Sequence, residues 1–168
     1  MVLFAFIVYI TYNAVSLLIF GVPHSLSMTY YMFKDMYNGL RYLFPSLITI
    51  MVVCLMPGWI DILEGSTYQF TAFLSAMGLA FVGAAPMFLR DDNIKGVHMI
   101  GALVSALFAI LWILLVSHTW DILIICCLLC LLLMFVTKTV KTSYVYWLET
   151  AAFLSTFISI LKYYYEIS

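Results

Sequence analysis

The sequence predicts an all-α integral membrane protein: a bundle of six transmembrane helices, with a short cytoplasmic interfacial helix after the first span, in a single membrane domain over residues 1–168. Three observations lead there. Of the 168 residues, 66% are hydrophobic and 9% charged, against about 45–50% apolar and 25% charged in an ordinary soluble domain. The 7 basic and 8 acidic side chains are too few to cover a globule in water, and a net charge of −1 lacks the basic face that a nucleic-acid binder needs. The apolar residues also come in continuous runs rather than in alternation, which favours helices over a barrel.

A span needs about 20 apolar residues to carry ~1.5 Å per residue across ~30 Å of hydrocarbon. Runs at 2–20, 40–59, 70–89, 98–117, 120–137 and 144–161 meet that length. The first has no basic leader and no small-residue cleavage site, so it reads as a retained span and not as a signal peptide. Between the first two runs, the stretch from Pro23 to Met36 reads as the interfacial helix, with Ser25 or Ser27 as its N-cap and Asn38-Gly39 as its stop.

Basic residues set the orientation. Lys34, Arg41, Arg90, Lys95, Lys138 and Lys141 flank the first, third and fifth connections, and Lys162 alone lies beyond the last span. The positive-inside rule puts those three connections in the cytoplasm and both termini outside it. Trp59, Tyr68, Trp120 and Tyr163 to Tyr165 suit an outer aromatic belt, and Tyr144, Tyr146 and Trp147 an inner one.

Packing in lipid relies on small residues that let backbones approach. The third span carries Ala72, Ala76, Ala80 and Ala84; the fourth carries Gly101, Ser105 and Ala109, with Ala102 and Ala106 beside them. The two should form a close hairpin, with His98 pointing into the seam and Pro86 kinking the third span. Bulky residues surround the fifth span, which should face lipid on most sides. Its Cys126, Cys127 and Cys130 have no polar companion and read as small hydrophobes.

Ionisable groups inside spans are costly and mark function. Glu149, on a face with Tyr146, Ala152, Thr156 and Ser159, is the clearest; pairing with Arg41 or Arg90 would make it structural. The chain reads as a non-enzymatic channel, transporter or membrane interaction scaffold; Asn13, Ser46, Thr49, Ser105 and Glu149 are the candidate pathway residues, and Asn13 could equally tie two helices together. A membrane-embedded hydrolase or lipid-modifying enzyme is the alternative, with His24, His98, Asp91 and Glu149 as its cytoplasmic-side site. No HxxxH, HExxH or G-x-S-x-G pattern occurs, so neither a metal nor a cofactor is expected. The expected partners are the lipid bilayer and further copies of the chain, since so thin a bundle has little interior for a pathway of its own.

The segments Phe81-Val82-Gly83-Ala84-Ala85-Pro86-Met87-Phe88, Val97-His98-Met99-Ile100-Gly101-Ala102 and Leu111-Trp112 carry a family resemblance, as does Ser25-Leu26-Ser27-Met28-Thr29-Tyr30-Tyr31. Together they resemble small six-span membrane proteins of gut Bacteroidetes and the phages that infect them. The His-x-x-Gly-Ala opening at His98 is similar, at the level of fold, to DRAM-like and Sfk-like six-span proteins. The resemblance implies a six-helix bundle in a bacterial inner membrane, with Pro86 and His98 as notable positions, and it implies no activity.

Overall fold

In the computed structural model, which describes residues 1–167, the apolar runs form helices, and no strand occurs among the described residues. The α-helices are α1 (Val2–Phe20), α2 (Thr29–Met36), α3 (Leu43–Asp61), α4 (Gln69–Ala84), α5 (Asp92–Trp112), α6 (Trp120–Val136) and α7 (Tyr144–Ile167). A 3-10 helix, Asn38–Tyr42, leads into α3, and a π-helical segment, Ile113–Ser117, extends α5. Four helical stretches are long and apolar enough to cross a membrane: Val2–Phe20, Asn38–Asp61, Asp92–Ser117 and Tyr144–Glu166. The apolar helices α4 and α6 are shorter, at 16 and 17 residues, which corresponds to roughly 24 and 26 Å.

Local chemistry explains where the helices depart from the expected boundaries. The third run stops at Ala84 because the ring of Pro86 disfavours helical geometry in the residue before it, and Ala85 takes φ −113° and ψ 52°. Pro86 therefore ends the helix instead of kinking it. The fourth run begins at Asp92 and not at residue 98, because the Asp91 carboxylate accepts the Asn93 amide at 2.7 Å and caps an added polar turn. Asn38-Gly39 continues as a 3-10 turn instead of stopping the chain. Neither Ser25 nor Ser27 caps α2, whose cap residue is Met28; the Ser25 hydroxyl accepts the Met28 amide at 3.3 Å in the turn before it.

Five helices close a ring in which α1 packs on α3, α3 on α4, α4 on α5, α5 on α7, and α7 on α1. Each is placed by a narrow stripe: α1 buries Val2, Ala5, Tyr9, Asn13 and Ser16, at helical spacing, and leaves its other faces outward. α6 lies outside the ring against α7, with only Cys126 and Cys130 buried. All four cysteines are free thiols. Trp59, Tyr146 and Trp147, expected in the aromatic belts, are core residues at 3%, 1% and 7% exposure. Burial follows their hydrogen-bond and ring partners: the Tyr146 hydroxyl donates to Asn13, the Trp147 indole to Thr139, and Trp59 packs edge-on against Trp112.

The closest backbone approach joins α4 and α5. A Cβ added at Gly78 would lie 2.5 Å from both the Gly101 carbonyl and the Ser105 amide nitrogen, and one at Gly101 would lie 2.8 Å from the Gly78 carbonyl. Only glycine fits either place. Ser75, one turn away on the same face, donates its hydroxyl to the Ser105 carbonyl at 3.0 Å. The alanine row of α4 is elsewhere on that helix: Ala72 and Ala76 are buried on the side where Gly83 meets Ile48 of α3, while Ala80 and Ala84 are exposed. A helix of 3.6 residues per turn cannot present positions 78 and 80 to one neighbour.

Gly78→Val should therefore overpack the seam by about 1–3 kcal/mol. In detergent-solubilised protein that is a fall in Tm of roughly 3–10 °C, whereas Ala80→Leu should leave Tm unchanged. The reverse order of effects would show that the alanine row makes the contact.

Candidate functional site

Four helices of the ring, α3, α4, α5 and α7, line a partly open cavity of about 90 Å³. α3 lines it with Phe44, Ile48, Leu55 and Trp59, one face followed over roughly 22 Å of helix. α4 supplies Ser75, Leu79 and Val82, and α5 supplies Ala102, Ser105, Ala106 and Ala109. From α7 come Glu149, Ala152, Phe153, Thr156 and Phe157, again at helical spacing. Leu26 and Ser27 add a wall that is not part of any helix.

That last wall exists because the chain turns inward after α1. Gly21 takes φ +71° and ψ −159°, an extended positive-φ conformation that glycine alone adopts readily, and residues 25–27 are then buried. Their neighbours bond to the start of α7. The Tyr146 amide donates to the His24 carbonyl at 3.1 Å, and the Ser143 hydroxyl donates to the Val22 carbonyl at 3.2 Å. The His24 ring nitrogen Nδ1 bonds to the Thr142 carbonyl. The first-turn amides of a helix have no intrahelical acceptor, so α7 and the inward turn each satisfy the other's backbone. The Leu26 amide completes the set by donating to Oε2 of Glu149 at 2.6 Å.

Among the described residues Glu149 is the only charged side chain on the cavity wall. The arginine partner expected for it is absent: Arg41 donates to Asn38 Oδ1 at 3.1 Å and to the Tyr42 hydroxyl at 2.6 Å. Among the described residues the single ion pair is Lys162 with Glu166, at 3.9 Å. A carboxylate accepts about four hydrogen bonds, and a protein donor is found for one.

The remaining candidates separate into those that share the cavity and those that do not. Ser105 lines it with Glu149. Asn13 lies outside it, held by its own bond to the Tyr9 carbonyl at 2.9 Å and by the Tyr146 hydroxyl at 3.0 Å. Ser46 and Thr49 point away from the ring, and Thr49 returns its proton to the Pro45 carbonyl. His98 is buried, its Nδ1–H donating to the Ala85 carbonyl at 3.0 Å at the end of α4 and its ring stacked on Phe88 at 4.5 Å. Asp91 is a helix cap, and neither it, His24 nor His98 touches the cavity that Glu149 lines. No group of three or more His, Cys, Asp or Glu positioned for a metal occurs among the described residues.

Sequence inspection passed over Leu26, Trp59, Phe153 and Phe157 as parts of one site. One sign was available: α5 carries two adjacent small rows, and a helix needs only one to pack. Gly101 and Ser105 meet α4, while Ala102 and Ala106 leave space on the cavity side. Comparison with known protein families, with curated proteins and with solved structures returns no match to this chain.

Glu149→Ala should strand the Leu26 amide, at about 2 kcal/mol or a Tm fall of roughly 4–8 °C. Glu149→Gln keeps an oxygen acceptor there and should melt within about 2 °C of the wild type, well under the ~1.4 kcal/mol that a tenfold change in equilibrium represents. Equal melting of all three proteins would remove the Leu26 bond from the account.

Proposed function

We propose that this chain is a six-span membrane transporter whose solute occupies the Glu149 cavity. The observation that carries the reading is a carboxylate without an ion-pair partner on the wall of a largely apolar cavity. Both features destabilise a protein: an internal space forfeits packing energy, and an ionisable group among apolar helices is expensive. A scaffold held together by packing needs neither. A channel needs polar groups along a path across the midplane, and Asn13, Ser46 and Thr49 lie off the cavity. An enzyme of the type considered needs a second titratable group in the cavity with Glu149; His24 lies close enough to act on the Glu149 charge, but neither it nor His98 or Asp91 lines the space.

On this reading α4 and α6 join the four longer helices as spans, their shortness met by local thinning of the bilayer. The turns support an alternating path. The inward turn after α1 meets Thr142 and Ser143, and the Tyr31 hydroxyl of α2 accepts the Leu89 amide at 2.8 Å. At the other end Thr119 bonds to Ser159, and Trp59 and Tyr163 both pack on Trp112. Lys34, Arg41, Arg90, Lys95, Lys138 and Lys141 belong to the first end, which the positive-inside rule makes cytoplasmic. Both termini are then non-cytoplasmic, in a bacterial inner membrane if the resemblance to the Bacteroidetes proteins holds. α2, with Thr29, Tyr30 and Phe33 buried and Lys34 and Asp35 exposed, suits the cytoplasmic interface. Four helices of one chain line the cavity, so a second copy is not required to form one.

The test is uptake into proteoliposomes of a solute panel covering cations, neutral compounds and anions. At least one class should enter at least tenfold faster with wild-type protein than with Glu149→Gln, the equivalent of ~1.4 kcal/mol. Equal rates for every class would refute transport through this cavity. Labelling of intact cells should reach both chain ends and spare Lys95 and Lys138; the opposite pattern would invert the assigned sides.

A further inference from the structure

We infer that the cavity takes an amphiphilic primary ammonium ion, a slender apolar chain whose –NH3⁺ head seats on Glu149. This rests on the cavity being the solute site and adds the chemistry of the solute. Charge is the first argument. The wall carries one acidic side chain and no basic one, so a cation completes the site and an anion is repelled from it.

Hydrogen-bonding capacity is the second argument, and it is independent of charge. The Ser75 hydroxyl has given its proton to the Ser105 carbonyl at 3.0 Å, and the Thr156 hydroxyl has given its proton to the Ala152 carbonyl at 2.7 Å. Both oxygens keep only lone pairs for a guest. The Leu26 amide is occupied by Glu149 itself, and no Lys, Arg, His, Asn or Gln side chain lines the space. Beside Glu149 the wall therefore offers acceptors, while a buried donor without a partner, the Trp59 indole N–H, lies at the opposite end of the α3 wall. An ammonium group brings three donors and no acceptor to the Glu149 end; a carboxylate or phosphate brings the reverse and would set its oxygens against those of Glu149.

Shape and lining set the rest of the solute. The cavity of about 90 Å³ is partly open and is lined by residues of α3 from Phe44 to Trp59. Such a space admits a slender chain, which can extend through the opening, more readily than a fused ring system. Phe153 and Phe157 follow Glu149 along α7, so the apolar body meets aromatic faces one and two turns from the head.

The experiment uses the full chain in lipid nanodiscs and three probes of equal length: n-octylamine at neutral pH, octan-1-ol and sodium octanoate. Binding is read from tryptophan fluorescence, to which Trp59 on the wall contributes, and from Tm. Octylammonium should bind saturably to wild type, at least tenfold more tightly than octan-1-ol, with no saturable response to octanoate. Glu149→Gln should weaken octylammonium at least tenfold, and Ala106→Leu, which fills the cavity but leaves the carboxylate, should abolish its saturable signal. Octanoate binding as tightly as octylammonium would overturn the assignment. So would an octylammonium signal indifferent to both substitutions, which is partition into the bilayer alone. Equal binding of octan-1-ol and octylammonium, both lost in Ala106→Leu, would also overturn the ammonium assignment while leaving the cavity as the solute site.

Discussion

Among tightly packed apolar helices there is no water to take up a stray backbone N–H, so a chain that turns inward between helices needs acceptors where it goes. The Leu26 amide finds its acceptor in the carboxylate of Glu149, and much else follows from that bond. It holds the inward turn against α7 and places Leu26 and Ser27 as a wall of the cavity. It also orients the one charged group on that wall. Because the neighbouring bonds from Tyr146 and Ser143 run the other way, from α7 to the turn, the two segments are satisfied together or not at all.

The cavity itself arises from unequal approach. At Gly78 and Gly101 the α4 and α5 backbones touch, which fixes that pair as a rigid unit. On the next face of α5, Ala102, Ala106 and Ala109 point toward α3 and α7 and are too short to reach them. The large residues opposite, Phe44, Trp59, Phe153 and Phe157, line the same space and also pack outward; Phe157, for example, meets Phe6 and Tyr9 of α1. A seam of glycines and a void beside it are thus two results of the same small-residue composition.

Physical periodicity made some of this readable in advance, and its limits made the rest unreadable. The run 2–20 and the start of the run at 120 coincide with α1 and α6, because unbroken apolar stretches in these places have no competing signal. Pro86 and Asp91 moved the neighbouring boundaries by local sterics and by capping, both legible in kind though not in extent. The choice between the alanine row and Gly78 was not legible. Both rows obey helical spacing, and only the orientation of α4 between two partners distinguishes them. Ser46 and Thr49 show the same limit, since a hydroxyl that bonds its own helix can face any direction.

Composition and the spacing of apolar runs determined that this is an all-helical protein with spans long enough for a bilayer, and the presence of a carboxylate within the last run marked Glu149 for attention. These follow from transfer energetics and helical rise, which depend on residues near one another in the chain. The tertiary structure alone decided that Glu149 meets the amide of Leu26 rather than an arginine, and that it shares a space with Ser105 and Trp59 but not with either histidine. Those neighbours lie up to more than a hundred positions apart in the sequence, and helix rotation and ring closure, which no local pattern encodes, bring them together.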